Sequence, residues 1–190
     1  THLGQWWFPI PNTGTAESLL RLCDRYDIRR IVASSTQAIA YDMRAGNAEM
    51  AEAAEKHERI LGYCYCNAKF LEESCEEMDT YLALDSFVGV KIHASYSACG
   101  TGDPRMYDLI AEIAKRTSLL KIHNGGAEVG RHLAAHAQAH PGLNIIIAHA
   151  LASDYQTAAD LAAGHGNLYL DFCSSWSYRG KVEYAVDKCG

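Results

Sequence analysis

The chain has 190 residues, is 48% hydrophobic and carries a formal net charge of −6 at neutral pH. That is enough material for one sizeable core, so residues 1–190 are expected to form a single domain. With no concentrated Lys/Arg patch and no apolar run of membrane-spanning length, neither nucleic acid nor a membrane is an expected partner.

The opening, THLGQWWFPIP, lacks the basic region and apolar core of a secretory leader. TAESLLRLCDRYD (15–27) places Leu19, Leu20 and Cys23 on one side of a helix. IRRIVASS (28–35) reads as a strand. SSTQAIAYD follows it, without the glycine-rich turn of a nucleotide-binding open sheet. AEMAEAAEKHE (48–58) is rich in helix formers, and RILGYCYCN (59–67) is the next strand. The alternation continues with the helix LEESCEEMDTYLA (71–83) and the strand FVGVKIH (87–93). PRMYDLIAEIAKR (104–116) is a helix with Pro104 in its first turn and Asp103 as N-cap. SLLKIH (118–123) is a strand, AEVGRHLAAHAQAH (127–140) a helix, and LNIIIAH (143–149) a strand. DYQTAADLAAGH (154–165) and NLYLDF (167–172) complete the series as helix and strand.

Strand starts recur roughly every 24–32 residues, the scale of a βαβ unit. Strict alternation implies a parallel sheet covered by helices. An open doubly wound sheet and a closed barrel compete, and the missing glycine-rich turn favours the barrel. A complete (β/α)8 barrel of the TIM type typically takes about 250 residues. The expected fold is therefore an α/β barrel that lacks, in this chain, its first strand and its last β/α unit.

The polar residues gather at strand ends. Lys91 and His93 close one strand, Lys121 and His123 the next, and His149 the one after. Lys-Ile-His thus recurs at 91–93 and 121–123, one strand-plus-helix unit apart. Side chains alternate along a strand, so Lys91 shares a face with His93, and His149 with Ile147 and Ile145. In a parallel barrel these ends meet at one mouth. Any single one is as readily a structural histidine bonded at a strand end. Three in succession arise by chance on the order of one time in a hundred or less. Neutral imidazole suits zinc and similar ions, and metal-bound water ionises near neutral pH. Lys91 reads as a substrate contact or a second-metal ligand, whereas Lys121 reads as readily as a lysine reaching the solvated mouth.

With these residues placed, the chain resembles the amidohydrolase superfamily, closest to the amidohydrolase-related branch that holds aminocarboxymuconate-semialdehyde decarboxylase. GVKIHASYSACGTGDPRMYDLIAEIAKR looks like the family's fourth strand, loop and helix. LLKIHNGG looks like its fifth strand, HPGLNIIIAHAL its sixth and GNLYLDFCSS its seventh. THLG looks like the tail of the first-strand Asp-x-His-x-His motif. The resemblance implies His2 and His123 as metal ligands and His149 as a catalytic residue that orients or ligates. Lys91, His93 and Asn67 would line the substrate or a second metal. It implies a divalent cofactor, zinc in first place, as one ion or two. The family's metal-binding Asp of strand eight has no counterpart, because the chain stops at DKCG (187–190), about where that strand should begin. The resemblance implies a metal-dependent hydrolase attacking an amide, lactone or ester carbonyl of a small molecule. A non-oxidative decarboxylase and a non-catalytic binding barrel are the alternatives, and a homo-oligomer is compatible with each.

Other histidines and the cysteines read as structural. His132, His136 and His140 fall at i, i+4 and i+8 on one helix and are expected on its solvated face. His57 and His165 sit at helix ends. Trp6 and Trp7 read equally as a substrate cover or as loop packing. Seven cysteines without a CxxC pair read as reduced thiols of a cytoplasmic protein, with Cys64 and Cys66 as small core filler.

Overall fold

The computed structural model describes residues 1–8, 10, 14–123, 125–173 and 179–190. Seven parallel strands alternate with helices, the succession of a partial (β/α) barrel. The contacts divide the chain into two compact units, Thr1–Lys91 and Ile92–Gly190. Among the described residues no helix is long and apolar enough to cross a membrane.

The first unit carries β1 (His2–Leu3), α1 (Ala16–Arg25), β2 (Ile31–Ser35), α2 (Thr36–Ala40), α3 (Met43–Lys56), β3 (Ile60–Tyr65), α4 (Leu71–Tyr81) and most of β4 (Phe87–His93). β1 pairs with β2 (His2 opposite Ser34) and β2 with β3 (Ile31 opposite Ile60). β3 pairs with β4 (Tyr65 opposite Lys91) after a register shift at Gly62/Tyr63. Three of the unit's helix starts have a local cause in a side-chain cap. The Thr15 and Ser18 side chains cap each other's backbone at α1. Ser35 Oγ accepts the Ala38 N–H at 3.3 Å, and Asp42 Oδ1 accepts the Ala45 N–H at 2.9 Å. The core holds Met50, Ile60, Cys64, Met78 and Val90, all without exposed surface. Buried Asn47 is satisfied on both sides of its amide. It accepts the Tyr65 N–H at 2.8 Å and donates to the Tyr65 carbonyl at 3.0 Å and to Glu77 Oε2 at 2.9 Å.

One reading changes in this unit. The first strand does not precede Thr1 entirely, because His2 and Leu3 already pair with β2. SSTQAIAYD contains α2, a helix not named in the sequence reading, started by the Ser35 cap. A five-residue helix is too short for its periodicity to be read from sequence.

The second unit carries the end of β4, α5 (Pro104–Arg116), β5 (Leu119–His123), α6 (Ala127–Ala139), β6 (Asn144–Ile147), α7 (Tyr155–Gly164), β7 (Leu168–Leu170) and α8 (Lys181–Cys189). β5 pairs with β6 (Leu119 opposite Asn144) and β6 with β7 (Ile145 opposite Leu168). Asp103 caps α5 by accepting the Arg105 N–H at 2.9 Å, with Pro104 in the first turn as expected. Its core holds Ile92, Leu109, Ile110, Ile113, Leu120, Ile122, Leu133 and Ile145, all fully buried.

Two readings change here. β6 ends at Ile147, so His149 lies beyond it in a tight turn, Ala148–Asp154, and not on the strand face of Ile145 and Ile147. His136 is not on a solvated face. It is buried, its Nε2 lies 3.1 Å from the Thr101 carbonyl, and its ring packs against Tyr107 at 4.2 Å. His132 Nδ1 lies 3.2 Å from Thr101 Oγ1, so both histidines hold the loop that precedes α5.

Burial pushes the His136 imidazole below its ordinary value of 6.5, against the pull of the Thr101 carbonyl, and His140 and His132 add to the fall. The folded protein therefore binds this proton less readily than the unfolded chain does. Its contribution to stability is full above about pH 6.5, begins to fall below that value, and is lost as the pH drops through the lower folded-state value. Urea midpoints measured at pH 7.5 and 5.5 should fall in the wild type. His136→Gln, which keeps a donor for Thr101 but cannot titrate, should flatten that fall.

Candidate functional site

The second unit brings together three of the histidines singled out in the sequence. His93 ends β4 and His123 ends β5, where backbone pairing continues through the Ala94 N–H to the His123 carbonyl at 3.3 Å. Their rings stack, with centroids 3.8 Å apart and 15° between planes. His93 is buried, and its Nδ1 accepts the Tyr96 N–H at 3.4 Å. That bond makes His93 the Nε2-protonated tautomer when neutral.

His149 reaches the pair by a different route. Four consecutive non-glycine residues after β6 have positive φ: His149 (59°), Ala150 (46°), Leu151 (59°) and Ala152 (59°). Such conformations cost L-residues about 1–2 kcal/mol each, so something must hold them. Lys181 of α8 does so. Its ammonium is fully buried and donates to the carbonyls of His149 at 2.7 Å and Ala152 at 3.1 Å. The rings of Tyr155 and Phe172 lie about the same ammonium, with centroids at 5.9 Å and 5.8 Å. The turn thereby sets His149 Nε2 3.0 Å from His123 Nδ1.

Lys181→Met keeps most of the buried volume but leaves two carbonyls without their donor. Losing a partner costs about 1–3 kcal/mol per buried group, offset in part by no longer burying an ammonium. A net loss of about 2 kcal/mol is expected, read as a lower urea midpoint.

Behind His149 stands a polar chain that sequence reading did not promote. His149 Nδ1 lies 3.3 Å from Cys173 Sγ. The Cys173 thiol donates to Asp171 Oδ2 at 3.1 Å, and the same oxygen takes the Lys121 ammonium at 2.8 Å. Burial works to raise the Asp171 carboxyl, but Lys121 and Cys173 outweigh it and hold the carboxyl below its usual range. Burial and the Asp171 carboxylate push the Cys173 thiol up. The site thus has an anion at one end and stacked imidazoles at the other. Lys121 is half-buried and ion-paired, so it is not the free solvated lysine of the alternative reading. The signal available in the sequence was the i, i+2 spacing of Asp171 and Cys173 directly after β7.

The other candidates lie in the first unit. His2 is half-buried in β1, edge-on to Trp6 at 5.2 Å. Lys91 is buried in β4. Asn67 Oδ1 accepts the Lys69 N–H at 3.0 Å in the turn that leads to α4, so its side chain shapes that turn. Trp6 packs on Ala38, Ile39 and Tyr65, whereas Trp7 is largely exposed. Cys64 and Cys66 are buried core filler, as expected. Asn124 of LLKIHNGG and Ser174–Ser175 of GNLYLDFCSS lie outside the described residues.

Imidazole nitrogens are donors of the kind a borderline divalent ion takes, and the rings of His93, His123 and His149 lie together at one place. Among the described residues no three His, Cys, Asp or Glu side chains already enclose a single point. The donor chemistry fits a metal, then, while the ligand set is not complete in the described geometry.

A family model described as Amidohydrolase matches residues 7–186. Among solved structures the chain is similar to a 2,6-dihydroxybenzoate decarboxylase in complex with 2,6-dihydroxybenzoate. Identity is 16% and the TM-score 0.73, over 96% of this chain and 75% of that one. It is similar to 5-carboxyvanillate decarboxylase from Sphingomonas paucimobilis (14%, TM-score 0.66, 90% and 68% covered). It is also similar to a protein from Acinetobacter baumannii described as a probable 2-pyrone-4,6-dicarboxylic acid hydrolase (11%, TM-score 0.65, 98% and 74% covered). At these identities the likeness speaks to the fold, a partial (β/α) barrel. No curated protein sequence matches the chain.

Proposed function

Because the chain belongs to the amidohydrolase family, whose members are generally metal-dependent, we propose that it hydrolyses an amide, lactone or ester of a small molecule, with His123 and His149 at the reacting centre. The observation that carries this reading is the 3.0 Å contact between His149 Nε2 and His123 Nδ1, backed by Cys173 and Asp171. A divalent ion, zinc first among candidates, would supply a water that ionises near neutral pH, and His123 is the residue of the second unit assigned to hold it.

The remaining roles belong to the chain's own groups. His149 orients His123 through the shared hydrogen bond and takes up positive charge when a proton reaches the pair. The Asp171 carboxylate, joined through Cys173, favours that charge. His93 stacks on His123 and fixes its ring plane. In the first unit, His2 is carried as a metal-binding candidate, and Lys91 and Asn67 as substrate contacts.

Decarboxylation is the second reading, favoured by the names of two of the similar structures. The two readings part on one experiment. The protein, supplied with divalent ions, is offered amides, lactones and aryl esters with product release followed, and aromatic and dienyl carboxylates with CO₂ followed. Hydrolysis without CO₂ supports the first reading, and CO₂ release from a carboxylate with no hydrolysis overturns it.

A further inference from the structure

The polar chain has a direction, and the direction decides which nitrogen of His123 bears a lone pair. Asp171 Oδ2 is ion-paired to Lys121 at 2.8 Å and can only accept. The single thiol hydrogen of Cys173 therefore goes to Asp171, the stronger acceptor, at 3.1 Å. The sulfur is left facing His149 Nδ1 at 3.3 Å with lone pairs alone, so that nitrogen must carry a hydrogen. In neutral His149 the other nitrogen, Nε2, is then an acceptor. It lies 3.0 Å from His123 Nδ1, which must be the donor. The end of the sequence is a neutral His123 protonated at Nδ1, with its lone pair on Nε2.

We propose that Asp171 and Cys173 are positioning residues that lock His149 and His123 as Nδ1-protonated tautomers, so that His123 offers Nε2 as its basic, metal-binding nitrogen. A metal-ligating histidine commonly owes its tautomer to an oxygen acceptor on its other nitrogen. Here the acceptor is a second imidazole, and its polarity is set by a thiol and an ion-paired carboxylate two bonds further back. The significance for turnover rests on the proposed function, but the tautomers themselves do not.

The test is nitrogen NMR of histidine-labelled protein, without metal or substrate, at a pH where the imidazoles are neutral. Wild-type His149 and His123 should each show a protonated Nδ1 and an unprotonated Nε2. Cys173→Val should let His149 shift toward the Nε2-protonated form that free imidazole side chains favour, and Cys173→Ser should restore the wild-type pattern. A protonated Nε2 on either histidine of the wild type overturns the proposal, as does a Val variant whose tautomers are unchanged. Should the Val variant fail to fold, the wild-type spectrum still decides. A protein inactive on every ester and amide, yet with both tautomers as stated, would sink the hydrolase reading and leave this one standing.

Discussion

Replacing His123 with Ala is expected to lower kcat/KM about a thousandfold on whichever substrate the panel identifies, with the fold intact by circular dichroism. Positioned acid–base groups contribute about 10²–10⁴-fold. His123 touches both neighbours, stacking on His93 at 3.8 Å and bonding His149 at 3.0 Å. Its loss would remove the nitrogen proposed to bind metal and leave His149 Nε2 without its donor in the same step. Replacing His149 should cost less, because the proposed ligand nitrogen would survive while its tautomer was no longer held. Near wild-type turnover by the His123 variant would remove the second unit's imidazoles from the reacting centre.

The largest effect on stability is expected in the first unit, from Gly46→Ala. A Cβ at Gly46 would stand 2.0 Å from the Ala38 nitrogen and 2.4 Å from its Cα. These are backbone atoms of α2, so no rotamer change relieves the overlap, and the helices must part. Overpacking of this kind costs about 1–3 kcal/mol and sometimes more, and the distances here put the cost at the upper end. Alanine recovers about 1 kcal/mol of helix propensity, leaving a net loss of roughly 2–3 kcal/mol. Chemical denaturation would register this as a lower midpoint at unchanged slope. An unchanged midpoint would mean that α2 and α3 do not approach as described.

These predictions draw on features of unequal legibility in the sequence. The strands β4 and β5 and the helix α5 were readable almost to the residue, because apolar runs, Pro104 and Asp103 mark their limits. His93 and His123 followed from them, since a strand end fixes where its last side chains go. His149 was found for the right neighbourhood and the wrong backbone. Periodicity extended the strand through it, whereas the chain turns at Ala148 into a conformation no alanine-rich segment advertises. The Asp171–Cys173 link was hidden for another reason. It depends on β7 standing beside β6, a long-range pairing that no local window contains. The spacing of His136 misleads, because the carbonyl its buried ring bonds, Thr101, lies thirty-five positions away. Gly46 lies outside the helix read at 48–58, and nothing near it in the sequence announces the backbone of α2 against it.

The turn after β6 has a consequence in handedness. His149, Ala150 and Leu151 trace, in L-residues, a path whose natural inhabitants are D-residues. The mirror form of alanine at position 150 would sit there at ease, where the encoded one is held under tension. The segment that delivers His149 is therefore a loaded spring with Lys181 as its latch. Removing that ammonium takes away the two hydrogen bonds that span the turn, and with them the hold on the segment that carries the imidazole.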